Sequence, residues 1–262
     1  ATPIDITFIV AADAHLGAAD MEALNRRQIE HMNAIPGTPY PAAIGGKVGQ
    51  PLGVLLAGDM TNTGDSEQWR TFTTLYGLTG KEGLLKYPIY ECVGNHDRAA
   101  FLPQQKLFIK GFVDGEVSKR HGGLSYSWEW NGVRFICLSM YPNADNIRWL
   151  QDGLAGVGRE TPVVIYFHYS ITGPYSEWWS EKEKDAFAKS IEGYNIVGIF
   201  HGHYHNSYAY KWRGFDVFDT GSARHYPHCF MVVHITDKTM SAASWDWGNR
   251  RWYGIFTKQF GQ

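Results

Sequence analysis

Residues 4–15 read IDITFIVAADAH, a run of apolar and β-branched residues that ends with Asp13 and His15. Such a run predicts a buried strand over about 4–10, with both polar residues just beyond its end. In α/β sheets, strand ends are where side chains converge in one crevice. This stretch therefore predicts an α/β fold with a functional site beside its first strand.

Four further pieces of the chain repeat the pattern, since each places polar residues directly after an apolar, strand-like run. They are Gly58-Asp59, Gly94-Asn95-His96-Asp97, His168, and Gly202-His203-Tyr204-His205. Carboxylates, amides and imidazoles are metal ligands. The ordered set therefore predicts a two-metal hydrolytic site.

Asp59 is the expected bridge between the two metals, because a carboxylate offers two oxygens whereas an imidazole nitrogen binds one metal. Mixed oxygen and nitrogen ligands suit Mn, Zn or Fe, and the lack of thiolates argues against a structural zinc centre. Paired divalent ions with open positions lower the pKa of bound water and suit in-line attack at phosphorus. The predicted chemistry is phosphoester hydrolysis.

His96 is expected to point differently from its neighbour Asn95. A nearby carboxylate, such as that of Asp97, would raise the pKa of His96 and favour the protonated form that a leaving-group acid needs. We therefore predict that His96 is the general acid.

Each piece taken alone has a purely structural explanation. Asp13 and His15 could be a helix cap and a surface histidine, and Gly58-Asp59 could be a simple turn. His168 could be a core histidine, and the alternating histidines from His201 to His205 could be a solvated stripe. All these explanations must hold together to account for the set, which favours the functional interpretation.

At these residues the chain resembles the calcineurin-like metallophosphoesterases, whose ordered pattern is Asp-x-His, Gly-Asp, Gly-Asn-His-Asp/Glu, a lone His and Gly-His-x-His. The resemblance extends from Ile4 to about Asp219. It implies a four-layer α/β/β/α sandwich of two mixed β-sheets flanked by helices, which we expect to form one domain over residues 1–262. It implies two divalent metal ions as cofactors, with a bridging hydroxide as nucleophile.

The resemblance also implies a role for each motif residue. His96 would contact phosphate or protonate the leaving group, and Asp97 would orient it. The purple acid phosphatase branch looks different, because it has a tyrosine ligand three residues after the bridging Asp, where this chain has Asn62, and a glycine in place of His15. The implied ligands are Asp13, His15, Asp59 and His205 for the first metal, and Asp59, Asn95, His168 and His203 for the second.

Other polar and aromatic residues are candidates for the substrate pocket. Trp178 and Trp179 could clamp a ring-shaped leaving group or could fix the following helix to the core, and both explanations stay open. Arg224 could meet a phosphate. The predicted substrate-binding residues are Asn95, His96, Tyr169, Trp178, Trp179, Arg224 and His225, with Tyr175 and Tyr226 as further candidates.

The leading functional hypothesis is a phosphodiesterase acting on a small-molecule phosphate ester. It is favoured over a phosphomonoesterase because the sequence has no evident basic cluster for a dianionic monoester. A third hypothesis is a scaffold that binds without catalysis, which the intact ligand set disfavours. The net charge of −2 gives no indication of nucleic acid as a partner. Neither the natural substrate nor the oligomeric state follows from the sequence.

The 262 residues are 44% hydrophobic, which suffices for a sizeable core, and no apolar run reaches the roughly 18 residues of a membrane span. Cys92, Cys137 and Cys229 lie in apolar runs and are expected to be free thiols. The chain begins at Ala1 rather than Met, so an upstream leader is expected to have been removed. Exported and cytoplasmic locations both stay open.

Periodicity and turn signals predict the main elements. A loop rich in proline and glycine is expected at 36–51, and Asn131-Gly132 predicts a tight hairpin. Helices are predicted at about 20–34, 66–76, 144–154 and 181–191. Strands are predicted at about 4–10, 53–57, 88–93, 124–130, 133–139, 162–167, 195–200, 207–212, 215–219, 230–236 and 240–247.

Overall fold

The computed structural model describes residues 3–98, 100–101, 108–109 and 111–260. Its helices, numbered in chain order, are α1 (Met21–Ala34), α2 (Ser66–Tyr76), α3 (Asn95–Arg98), α4 (Phe112–His121), α5 (Ala144–Leu154) and α6 (Glu181–Ile191). Its strands are β1 (Asp5–Ala11), β2 (Pro51–Ala57), β3 (Ile89–Cys92), β4 (Ala100–Phe101), β5 (Phe108–Ile109), β6 (Ser125–Trp130), β7 (Val133–Leu138), β8 (Val163–Tyr166), β9 (Ile196–His201), β10 (Ser207–Trp212), β11 (Phe215–Thr220), β12 (Cys229–Thr236), β13 (Thr239–Asp246) and β14 (Arg251–Gln259).

Two six-stranded sheets form the centre of the structure. The first has the order β14-β13-β12-β1-β2-β3, and the second has the order β10-β11-β9-β8-β7-β6. Both sheets are mixed. In the first, β1, β2 and β3 run parallel and β12 is antiparallel to β1; in the second, β7, β8, β9 and β11 run parallel.

Three apolar layers hold the four structural layers together. Along β1, Ile6, Phe8 and Val10 point into the core between the two sheets, whereas Ile9 and Ala11 point into the core beneath the outer helices. A third core packs α5 and α6 on the second sheet. Because both faces of β1 are covered, its run from Phe8 to Ala11 is apolar without alternation. The predicted α/β/β/α sandwich is confirmed.

Helix ends follow the local sequence closely. Asp65 caps α2 by accepting hydrogen bonds from the backbone N–H groups of Glu67 and Gln68, and Asn143 caps α5 in the same way. Ser180 and Glu183 form a reciprocal capping box at α6. These caps fix the starts of three helices at the residues that the sequence predicts.

Two substantial elements were absent from the sequence prediction. Helix α4 contains Gly115 and is anchored by Arg120, which hydrogen-bonds the Glu91 carboxylate and the carbonyl oxygens of Leu78 and Ile89. Strand β14 is an edge strand with one exposed face, and it pairs antiparallel with β13. Both depend on tertiary contacts that local periodicity does not encode.

The three cysteines are buried free thiols, as predicted. Within the described part of the chain, no helix is long and apolar enough to cross a membrane. The assignment of residues 1–262 to one domain stays a prediction.

Candidate metal centre

The motif residues follow the carboxyl ends of five strands, three in the first sheet and two in the second, which run parallel within each sheet. In the first sheet, β1 leads to Asp13 and His15, β2 leads to Asp59, and β3 leads to the segment 94–97. In the second sheet, β8 leads to His168 and β9 leads to His203 and His205. The site therefore lies across the ends of both sheets, which is where open α/β folds bind ligands.

The backbone at this site is held in an unusual conformation. Five motif residues that are not glycine have positive φ angles: Asp13 (57°), His15 (43°), Asp59 (53°), His203 (74°) and His205 (58°). Left-handed backbone is unfavourable for such residues and clusters at functional sites. The motif residues therefore leave their strands in a backbone conformation that the surrounding structure must stabilise.

Motif glycines are required by close approach. A Cβ atom on Gly94 would lie 2.1 Å from Oδ1 of Asp59, and one on Gly202 would lie 2.6 Å from Oδ2 of Asp13. Both distances are shorter than any non-bonded contact between such atoms. Glycine is therefore the residue that lets these carboxylates pack directly on the neighbouring loops.

One cluster of ligand-type atoms is formed by Asp13, His15 and His205, whose donor atoms lie within 4.8 Å of one another. Nε2 of His15 is 3.0 Å from Nε2 of His205 and 3.7 Å from Oδ2 of Asp59. Nε2 of His205 is 3.2 Å from Oδ1 of Asp13. Asp59 thus borders this cluster.

A second cluster contains Asp59, His168 and His203. Nδ1 of His168 is 2.8 Å from the carbonyl oxygen of Ala57, to which it donates, so Nε2 of the neutral ring carries a lone pair. That Nε2 lies 3.2 Å from Oδ2 of Asp59, 3.0 Å from Oδ1 of Asn95 and 3.2 Å from Nδ1 of His203.

Lone pairs therefore converge at two neighbouring points, and Asp59 belongs to the second and borders the first. Without a cation, such groups repel one another unless protons lie between them. Divalent cations that accept oxygen and nitrogen ligands relieve this repulsion. The residues present fit a dinuclear metal centre, and the donor set contains no sulfur.

The protonation of the metal-free chain reflects the same crowding. Burial lowers the pKa of His15 to about 4, although the carboxylates of Asp59 and Asp13 raise it. Burial also opposes the charge on His168, yet the charge and hydrogen bond of Asp59 raise the pKa of His168 to about 9. Although burial raises the pKa of Asp59, His168 lowers it below the usual range. A cation at the second cluster must displace the His168 proton.

The family model of calcineurin-like phosphoesterases matches residues 6–207, which is most of the chain. The chain belongs to the calcineurin-like phosphoesterase family. Members of this family are dinuclear metal-dependent phosphoester hydrolases, and the clusters described above supply ligand-type residues for such a centre. A comparison with curated protein sequences finds no significant match.

Solved structures share the fold of this chain at low sequence identity. A dimetal phosphatase from Danio rerio has a TM-score of 0.68 and 11% identity, with 98% of this chain and 99% of that chain covered. The anchor in the inner membrane complex of Plasmodium has a TM-score of 0.67 and 11% identity, over 98% of this chain and 90% of that chain. A purple acid phosphatase from yellow lupin has a TM-score of 0.65 and 13% identity, over 97% of this chain and 53% of that chain. These similarities establish the fold.

The expected pairing of His96 with Asp97 needs correction. Nδ1 of His96 lies 2.7 Å from the carbonyl oxygen of Asn62, which orients the ring. The Asp97 carboxylate instead accepts hydrogen bonds from the backbone N–H groups of Met60, Thr61 and Gly94 and from the Thr61 hydroxyl, at 2.8–3.2 Å. Asp97 therefore ties together the two loops that carry Asp59 and the segment 94–97.

Asp97→Ala is expected to lower the free energy of unfolding by about 3 kcal/mol, because three buried N–H groups lose their shared acceptor. It is also expected to weaken metal binding, because the loops carrying Asp59 and Asn95 lose their common anchor. Urea unfolding of the metal-free protein and manganese titration check the two effects. Normal stability and metal affinity combined with a loss confined to turnover would favour the orienting role after all.

A cavity of about 330 Å³ opens beside both clusters. Its lining residues are Asp59, Asn95, His96, Tyr175, Trp178, His203, Tyr204, His205 and His225.

The predicted pocket residues separate into two groups. Asn95, His96, Trp178 and His225 border the cavity, and Tyr175 joins them. The other predicted residues do not border it: Trp179 is 2% exposed, Tyr169 is buried against Tyr141, and Arg224 and Tyr226 are exposed outside its lining. The assignment of Trp179 to the pocket was wrong, because its Nε1 donates to the carbonyl oxygen of Ser170 and its ring packs on Phe167.

Two further observations concern the last histidine motif. Tyr204 borders the cavity, although sequence reasoning gave it no role; its position inside the Gly-His-Tyr-His loop is the signal that could have found it. His201 is buried at the end of β9, and its Nε2 lies 2.8 Å from the hydroxyl of Tyr210. It belongs to the strand rather than to either cluster.

Proposed function

We propose that this protein is a phosphodiesterase that uses two divalent metal ions. The proposal rests on two adjoining ligand clusters beside an open cavity, with Asp59 in the second cluster and 3.7 Å from His15 of the first. The first metal would be held by Asp13, His15, Asp59 and His205. The second would be held by Asp59, Asn95, His168 and His203.

When bound, the paired metals would supply a water of lowered pKa and would neutralise charge on the phosphate oxygens. The chain's own contribution is positioning. His96 borders the cavity, and its Nδ1–H donates to the carbonyl oxygen of Asn62. In the imidazolium form, the Nε2–H is then left to donate a proton to the leaving oxygen. Its ring packs edge-on against His15 at 4.7 Å, which keeps the acid beside the first cluster.

The charge of the cavity favours a diester. No lysine or arginine borders the cavity among residues 3–98, 100–101, 108–109 and 111–260. A dianionic monoester gains most from cationic side chains that pair with its extra charge. A monoanionic diester needs only the metals and His96, so the lining matches a diester better than a monoester.

The test uses metal-stripped protein resupplied separately with Mn, Zn, Fe and Mg. Hydrolysis of bis-p-nitrophenyl phosphate is compared with hydrolysis of p-nitrophenyl phosphate, and an Asp59→Asn preparation controls for contaminating phosphatases. Metal-dependent turnover with a higher kcat/KM for the diester is the expected result. A higher kcat/KM for the monoester would make the protein a phosphomonoesterase, and bound metal without turnover of either ester would contradict the proposed activity.

A further inference from the structure

The segment between His168 and α6 builds one wall of the cavity. Its two adjacent tryptophans face opposite ways. Trp179 is buried, packs on Phe167 and Phe187, and donates its indole N–H to the carbonyl oxygen of Ser170 at 2.8 Å. This anchor fixes the segment to the core and leaves Trp178 on the cavity side.

Large rings are left exposed on this wall. Trp178 is 45% exposed and Tyr175 is 48% exposed, although both border the cavity. Tyr175 also has a left-handed backbone with φ of 64°, which is unfavourable for an aromatic residue. Exposed aromatic surface and backbone strain at the same place indicate a surface shaped for a ligand rather than for the core.

The rings are ordered by contacts among themselves. Trp178 lies 4.6 Å from His203 and 5.8 Å from Tyr175, measured between ring centroids, and both contacts are edge-on. His225, which also lines the cavity, stacks on His205 at 5.1 Å with an interplanar angle of 27°. Flat π faces therefore border both metal-ligand clusters, in a cavity whose described lining contains no cationic lysine or arginine.

We propose that Trp178 and Tyr175 form a stacking surface for a flat aromatic ring carried by the ester group that stays on phosphate. The substrate class is then phosphodiesters in which that group is a nucleoside or an aryl group. This inference rests on the proposed phosphodiesterase activity and names the class of diester that the site would prefer. The cavity volume of about 330 Å³ lies in the range of small-molecule sites and suits one ring with its phosphate.

The experiment compares diesters that share one leaving group. Thymidine 5′-p-nitrophenyl phosphate, bis-p-nitrophenyl phosphate and methyl p-nitrophenyl phosphate all release p-nitrophenolate, but the retained group is a nucleoside, an aryl group or a methyl group. The manganese-loaded wild type, Trp178→Ala, Trp178→Phe and Tyr175→Ala are measured with each. Tyr253→Ala, which removes a comparably exposed tyrosine on β14, is the matched control.

Trp178→Ala is expected to reduce the ratio of kcat/KM for a ring-bearing ester to that for the methyl ester about tenfold, as stacking energies predict. Tyr175→Ala should reduce the ratio less, Trp178→Phe should restore most of it, and Tyr253→Ala should leave it unchanged. The thymidine and p-nitrophenyl esters show separately whether a nucleobase or a simple aryl ring gains more. An unchanged ratio in Trp178→Ala would overturn the proposal. Equal loss of kcat/KM with all three esters would overturn it too, because that result is expected if Trp178 only holds His203 in place.

Calorimetric binding separates this proposal from the proposed activity. Thymidine 5′-monophosphate and methyl phosphate are titrated into the manganese-loaded protein. Tighter binding of the nucleotide, lost in Trp178→Ala, supports the stacking surface even if the wild type hydrolyses no diester. Equal affinity for the two ligands contradicts the stacking surface even if diester hydrolysis is fast.

Discussion

Asp59→Asn is expected to reduce metal-dependent turnover at least about a thousandfold, because metals supply several kcal/mol of charge stabilisation to the transition state. The substitution is nearly isosteric. Asparagine tolerates the φ of 53° at this position, and its amide oxygen can still accept the hydrogen bond that the backbone N–H of His96 donates to Oδ1 at 2.9 Å. The fold should therefore survive while the shared negative charge is lost, and bound manganese should fall below two per chain.

Asp65, six residues after Asp59, offers a matched control. Asp65→Asn makes the same chemical change at the exposed N-cap of α2, where asparagine also caps well. Steady-state kinetics and elemental analysis should find this variant unchanged. An Asp59→Asn protein that keeps two manganese ions and normal turnover would refute the bridging role of Asp59.

His96→Ala is expected to slow esters with poor leaving groups far more than esters with good ones, because general acids contribute about 10²- to 10⁴-fold when the leaving group needs a proton. Methyl phenyl phosphate and methyl p-nitrophenyl phosphate isolate this effect, since they differ only in a nitro group that makes the leaving phenolate more stable. The kcat/KM for methyl phenyl phosphate, divided by that for methyl p-nitrophenyl phosphate, should fall at least about tenfold in the variant.

Metal content should not change in His96→Ala, because neither metal needs this side chain in the proposed ligand set. His234→Ala, on β12, removes a histidine that pairs with Asp5 and serves as the control. Equal loss for both esters would exclude leaving-group protonation and assign His96 to phosphate contact alone. Loss of a metal ion would instead make it a ligand, for which its place near His15 and Asp59 gives some basis.

The sequence predicts the frame of this site well because its signals are local. Each motif follows an apolar run that forms a strand, so local sequence alone places the motif at the end of that strand. Helices α2, α5 and α6 begin at the predicted residues because Asp65, Asn143 and Ser180 act within one helical turn.

Direction of neighbouring side chains is harder to predict. Trp178 and Trp179 are identical and adjacent, yet one borders the cavity and the other fills the core. Arg224 and His225 differ in the same way, since only His225 meets the site. Outside regular strands and helices no fixed periodicity relates adjacent residues, so tertiary packing decides which one faces the ligand.

The role of Asp97 shows a second limit. Its place beside His96 suggested a pair, but in α3 the Asp97 carboxylate accepts from the backbone of 60–61 and of Gly94 instead. The oxygen that orients His96 is a main-chain carbonyl at Asn62, which no residue type reveals. Contacts made by the backbone carry no sequence signature of their own.

A dinuclear centre bridged by Asp59 can be tested by electron paramagnetic resonance of the manganese-loaded protein, with elemental analysis of the same sample. We expect two manganese ions per chain and an exchange-coupled spectrum, because Asp59 would connect both ions. In Asp59→Asn the coupling should disappear. One manganese ion per chain, none, or two uncoupled ions in the wild type would contradict a dinuclear centre bridged by Asp59.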